Sequence, residues 1–279
     1  MRADTGAYPP TLQRSHGRTR VRLGDRNGRP QLLSAFQEGS AKLRFPLSAP
    51  DGVEALLLNT SGGLAGGDTF ATTSVAERHT LLVSTLACER VYKSDDAFAM
   101  VRQEMAVHDG AELLHWPQPT ILFQESRLHR RTTIDAHGTG TFTLCEGMVL
   151  GRAAMGEAVR QTTVNDRISV TVDGTLAFVD ALRLSAGVLE RVRTAAGLGD
   201  ARAFGIVIHK PREGVDGSAG VERARDAVAG LADVRAGATT VNGLILARVL
   251  ARDHTALQDA LGRLVVALST RSLPRAWSL

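Results

Sequence analysis

The chain has 279 residues, a formal net charge of +4, 43% hydrophobic residues and 4% aromatic ones. That is enough apolar material for one large β-rich domain or two ordinary ones, and no apolar run approaches the roughly 18 residues needed to span a bilayer. Only Lys42, Lys93 and Lys210 are lysines, so the basic residues are nearly all arginine; with so few aromatics for bases to stack on, nucleic acid is disfavoured as a partner.

Residues 1–17 read as an irregular arm, broken at Tyr8-Pro9-Pro10, and residues 1–30 are rich in arginine without the apolar stretch of a secretory signal. From residue 18 onward the dominant signal has period two. Residues 19–23 alternate, Asn27-Gly28 makes a positive-φ turn, and residues 31–36 return, which predicts a hairpin. Residues 42–46, 54–59, 69–76, 80–85, 99–107 and 112–116 continue the series, followed by 127–134, 141–149, 158–172 and 175–184. Asp109-Gly110 and Asp173-Gly174 supply further turns. This spacing predicts a mainly β, many-stranded antiparallel or mixed scaffold, sandwich or solenoid-like, and no fixed-period self-similarity marks a regular repeat array. The last quarter changes period. Residues 218–232 and 253–268 carry apolar positions at helical spacing, with Ser218 and either Asp253 or Thr255 as candidate caps, and residues 242–250 read as a strand between them. About two helices are therefore expected there, as an α+β portion of a single domain over 18–279.

Cys88 and Cys145 lie far apart and in no C-x-x-C pair, the pattern of small buried thiols in a reducing compartment, here the cytoplasm. The sharpest segment is Asn59-Thr60-Ser61-Gly62-Gly63-Leu64-Ala65-Gly66-Gly67-Asp68. Its glycines, Gly62, Gly63, Gly66 and Gly67, call for positive φ, close approach of other backbone, or both. It is not a phosphate loop: no Lys-Ser/Thr follows, no G-x-G-x-x-G is present, and the next segment alternates as a strand instead of opening a helix.

At this segment the sequence resembles the UreD (UreH) family of urease accessory proteins, which shows N-T-x-G-G-x-x-G-G-D there. The resemblance recurs in order at Ala87-Cys88-Glu89-Arg90-Val91-Tyr92-Lys93-Ser94, at Trp116-Pro117-Gln118-Pro119-Thr120-Ile121-Leu122-Phe123, at Leu150-Gly151-Arg152-Ala153-Ala154-Met155-Gly156-Glu157, and at Pro274-Arg275-Ala276-Trp277. Pro119 stands where the family usually has Glu, and Trp116 replaces a common Leu. The resemblance implies a non-enzymatic β-rich scaffold that meets a helical accessory protein (UreF-like), a GTPase (UreG-like) and apo-urease, with no tightly bound cofactor and Ni²⁺ in transit.

A conduit for metal must bind strongly enough to admit the ion and weakly enough to release it, and geometry must supply discrimination among first-row ions. Dispersed carboxylates suit that better than a compact cage, and the eight histidines form no H-E-x-x-H or tight pair. Asp68, Glu89 and Glu146 are the candidates to line a passage. Asp68 reads equally well as a turn residue accepting backbone N–H groups, and Glu146 as the ion-pair partner of an arginine such as Arg152. Arg90, Tyr92, Arg152 and Glu157 are candidate partner contacts. The alternative is a β-sandwich or solenoid hydrolase using Asp68, Glu146 and Glu157, which would need carboxylates facing each other across a substrate bond.

Overall fold

The computed structural model describes residues 13–46, 52–94, 96–152, 156–157, 159–185 and 187–278. Most of the expected arm, Ala153-Ala154-Met155 of the fourth motif, and Ala158 lie outside the described residues. Strand β1 (His16–Arg26) begins three residues earlier than the sequence suggests and pairs antiparallel with β2 (Arg29–Gly39). Asn27 and Gly28 both take positive φ between them, the conformation a two-residue hairpin turn needs to match strand twist. Strand β3 (Ala41–Arg44) then pairs antiparallel with β4 (Gly52–Asn59) in a second sheet.

From there the chain coils between the two sheets. Strand β5 (Thr69–Ala76) joins the first, β6 (Thr80–Thr85) the second, and a short β7 (Glu89–Val91) closes that turn. Next come β8 (Ala99–Val107), β9 (Glu112–Trp116) and a short β10 (Thr120–Leu122), then β11 (Arg127–Ala136), β12 (Thr141–Leu150) and β13 (Thr163–Val172). Strands β5, β8, β11 and β13 pair parallel in the first sheet, and β4, β6, β9 and β12 in the second. The fold is thus mainly β and solenoid-like. Thr69 pairs with Met100, Leu128 with Ala99, and Arg127 with Thr163, so the turns are about 30 residues long but unequal, which is why no fixed period shows in the sequence.

Strand β14 (Thr175–Leu184) closes the first sheet as an antiparallel edge after the positive-φ Asp173-Gly174 turn. After the four-residue α1 (Val188–Arg191), β15 (Ala203–Lys210), β16 (Val234–Val241) and β17 (Leu244–Ala251) extend the second sheet. The helices α2 (Gly217–Val228) and α3 (His254–Ser269) cover its outer face, with a short 3-10 turn at Arg275–Ser278. Several expected bounds move here. Asp216, not Ser218, caps α2 by accepting the Ser218 N–H at 2.8 Å, and the helix stops at Val228. The strand expected over 242–250 starts at Leu244, because Asn242-Gly243 is itself a positive-φ hairpin turn joining β16 to β17. Asp253 caps α3 as expected.

Every residue of β12 is buried, because the strand is covered on both faces. Phe142 and Leu144 face the first sheet, while Cys145 and Val149 pack under α3. Between the two sheets the core has two apolar zones. One contains Val21, Val83, Met105, Leu113 and Ile134; the other contains Leu64, Val91, Leu122, Leu128 and Met148.

Candidate functional site

Four of the five sequence motifs stack on one another. Leu64 bridges to Val91, Val91 pairs with Leu122, and Leu122 pairs with Leu150, each one coil turn further along. All four side chains are buried at 2% exposure or less and pack in one cluster. The fifth motif joins the third across the molecule: the Trp277 indole N–H donates to the Trp116 carbonyl at 3.0 Å, and the Gln118 amide donates to the Ala276 carbonyl at 2.7 Å.

The glycine-rich loop is shaped by close approach. A Cβ on Gly66 would overlap Ser94 Oγ and lie 2.5 Å from the Ala97 carbonyl oxygen. Gly63 takes φ +151° with Tyr92 packed against it, and Gly62 and Gly67 also sit at positive φ. The Tyr92 hydroxyl donates to the Gly62 carbonyl at 2.9 Å. Asp68 closes the loop. One carboxylate oxygen accepts the Ser15 N–H at 2.7 Å and the other the Ala65 N–H at 2.8 Å, and the residue is 4% exposed. Both oxygens thus serve backbone donors in the manner of a turn residue.

Glu89 lies beside this loop, with its carboxylate accepting from the Asn59 amide at 3.2 and 3.3 Å. Burial pushes its carboxyl up to about 7, against the pull of the Asn59 and Arg90 N–H groups. A carboxyl that holds its proton more tightly folded than unfolded stabilises the fold most below its unfolded value near 4.5, and that contribution is lost as pH rises through 7. Glu89→Gln, which keeps the shape, is therefore expected to match the parent at pH 4 and to exceed it by about 1–3 kcal/mol above pH 7. Urea denaturation at the two pH values checks this; a variant weaker than the parent at high pH would exclude burial as the cause.

The partner candidates also cluster. Arg152 lies over the Phe123 ring at 4.3 Å, Tyr92 meets the same ring edge-on at 5.1 Å, and Arg152 Nε donates to Glu157 at 3.0 Å. Glu157 also accepts the Gln124 N–H at 3.1 Å, so this pair ties two loops together. Arg90 is exposed nearby. Glu146 does not pair with Arg152. It faces inward from β12, and its partner is Arg130 on the opposed strand β11, at 2.7 Å. Arg130 also makes a two-pronged contact with Asp166 at 3.0 and 2.7 Å, while Thr132 donates to Glu146 at 2.6 Å. Burial raises the Glu146 carboxyl, and the Arg130 charge opposes that rise. Asp68, Glu146 and Glu157 thus each hold separate partners and share none, so the geometry does not assemble the facing carboxylates of the hydrolase alternative.

Sequence reasoning missed the feature that links these parts. Between the two apolar zones runs a polar layer. Thr19 pairs with Thr72, Thr72 with Gln103, and Gln103 with Thr132, in register across four parallel strands. Thr19, Gln103 and Thr132 are buried, and the Thr19 hydroxyl donates to the Thr72 oxygen at 3.2 Å. This layer borders a cavity of about 280 Å³ whose lining includes Glu89, Gln103, His115, Thr120 and Arg130. His115 is 2% exposed, and neither ring nitrogen has a hydrogen-bond partner among the described residues. Burial, then the Arg130 charge, pull its imidazole down to about 3, so it is neutral at physiological pH and keeps a free lone pair. The available signal was a polar residue at an inward position of each alternating strand: Thr19 beside Val21, Gln103 between Val101 and Met105, His115 after Leu113. Among the described residues, no group of three or more His, Cys, Asp and Glu side chains is arranged to hold a metal ion, and no helix is long and apolar enough to cross a membrane.

A coiled two-sheet scaffold, with its signature motifs stacked along one side and a polar layer buried between the sheets, is the class of protein this geometry defines. The chain belongs to the UreD family of urease accessory proteins, whose model matches residues 15–278. It is 36% identical over 279 residues to the urease accessory protein UreD of Chelativorans sp. (strain BNC1), covering 99% of each chain. Identity is 34% to the UreD of Methylobacterium sp. (strain 4-46), over 96% of each chain, and 34% to that of Rhizobium leguminosarum bv. trifolii (strain WSM2304), over the full length of both.

Proposed function

We propose that this chain acts in urease maturation as a scaffold that binds apo-urease together with a helical UreF-like protein and a UreG-like GTPase, and that Ni²⁺ passes through the polar layer between its two sheets. The observation that supports the passage is the in-register row Thr19, Thr72, Gln103 and Thr132 beside a cavity bordered by Glu89 and His115. Hydroxyl and amide oxygens are weak ligands for a divalent first-row ion, and neutral imidazole is a better one. A row of weak donors with one stronger donor lets an ion step from site to site without being trapped. Nickel is cargo in this scheme, and the chain itself turns nothing over.

The test uses cells carrying a complete set of urease genes from which only this chain is deleted. Wild-type chain is expected to restore urease activity. The triple variant Thr19→Val, Thr72→Val, Gln103→Met preserves volume while removing the donors, and is expected to restore roughly a tenth of it, with co-purification of the accessory proteins and apo-urease unchanged. Full activation by the triple variant would sink the passage, and full urease activity in the deletion strain would sink the scaffold role.

A further inference from the structure

The outer face of the first sheet carries a row of arginines in register. Arg18 on β1 pairs with Ala71 on β5, Ala71 with Arg102 on β8, Arg102 with Arg131 on β11, and Arg131 with Arg167 on β13. All four arginines are exposed. Neighbouring strands lie about 4.8 Å apart, so Arg102, Arg131 and Arg167 stand side by side on three consecutive strands, and like charges placed directly opposite destabilise a sheet. Two of the four have their charge met: Arg18 pairs with Glu38 at 3.0 Å, and Arg102 Nε donates to Glu104 at 2.7 Å. Arg131 and Arg167 have no ion pair or side-chain hydrogen bond among the described residues. Ala71, the one small residue in the row, leaves a groove of about 540 Å³ whose walls include Arg18, Arg102, Arg131 and His129, with Phe70 and Met100 as apolar lining. Met100 is 42% exposed.

We propose that this arginine row and its groove are a docking surface for an acidic segment of a protein partner. The segment would lie across the strands with its carboxylates on Arg131 and Arg167 and an apolar side chain against Met100. A planar guanidinium pairs with a carboxylate through two parallel N–H donors, and a partner's carboxylates relieve the repulsion along the row. Charge complementarity favours protein over nucleic acid. Glu38 and Glu104 interrupt the positive row, which a continuous run of phosphates would have to pass, and Met100 gives the face an exposed apolar centre.

The inference stands apart from the nickel reading, because it can be tested on the purified full-length chain without urease or metal. Fluorescent poly-L-glutamate and a single-stranded oligo-dT of matched charge serve as probes at low and physiological salt. The chain is expected to bind polyglutamate more tightly than oligo-dT, with affinity falling as salt rises. Arg131→Glu combined with Arg167→Glu is expected to weaken polyglutamate binding roughly ten-fold or more, while Arg263→Glu, on the exposed side of α3, leaves it unchanged. Arg131→Ala with Arg167→Ala is the milder form should the charge reversal unfold the chain, and is expected to lose most of the same affinity. Unchanged binding by both double variants, an equal loss in Arg263→Glu, or tighter binding of oligo-dT would each overturn the proposal.

Discussion

Replacing Arg130 by Met is expected to cost about 3–5 kcal/mol of folding stability. Arg130, Glu146 and Asp166 are at most 9% exposed, and the guanidinium is the cation that both carboxylates share. Arg130 and Asp166 are register neighbours on β11 and β13, while Glu146 projects from β12 of the opposite sheet, so the triad joins the two sheets through the interior. Met fills similar space but leaves two desolvated carboxylates with no cation, and one of them must take up a proton at neutral pH. The cost comes from uncompensated charge and not from the worth of the ion pair itself. The triple variant Arg130→Met, Glu146→Gln, Asp166→Asn should therefore recover most of the loss. Urea unfolding of the two variants separates these effects, and a single variant within about 1 kcal/mol of wild type would mean that water already reaches the triad.

Asp68→Ala is expected to lose about 3 kcal/mol, since it strips acceptors from two backbone N–H groups, those of Ser15 and Ala65, at a buried position. The loss should appear as loosening of the glycine-rich loop against β1 and as reduced yield. Urease activation in the deletion strain then separates the two roles for this carboxylate. If Asp68 holds the loop, activation falls in proportion to folded protein; if it also contacts nickel, activation per folded molecule falls further while partner co-purification holds. Asp68→Asn can still accept one of the two N–H groups and should sit between Ala and the parent in stability.

Most strands were legible because their alternation is local, as in β8, where Ala99, Gln103, Met105 and Val107 point inward. Asn27-Gly28 and Asp173-Gly174 were legible because the chemistry of a positive-φ turn is local. Asn242-Gly243 carried the same signal, yet its strand was placed over it, since the apolar run that follows masks the turn. The glycine-rich loop and its four companion motifs were visible as a resemblance, but nothing local indicates that Leu64, Val91, Leu122 and Leu150 would stack. Strand β15 went unread because the run over 203–210 is almost continuously apolar and shows neither period.

The amino-acid sequence alone determined the β character, most turns, the two covering helices and the family. Tertiary structure decided that Glu146 answers Arg130 and not Arg152, that His115 sits in a cavity with no partner, and that the polar rungs and the arginine row each fall into register. Such neighbours lie half a turn or more apart along the chain, and the turns differ in length, so these contacts exist only once the strands have paired.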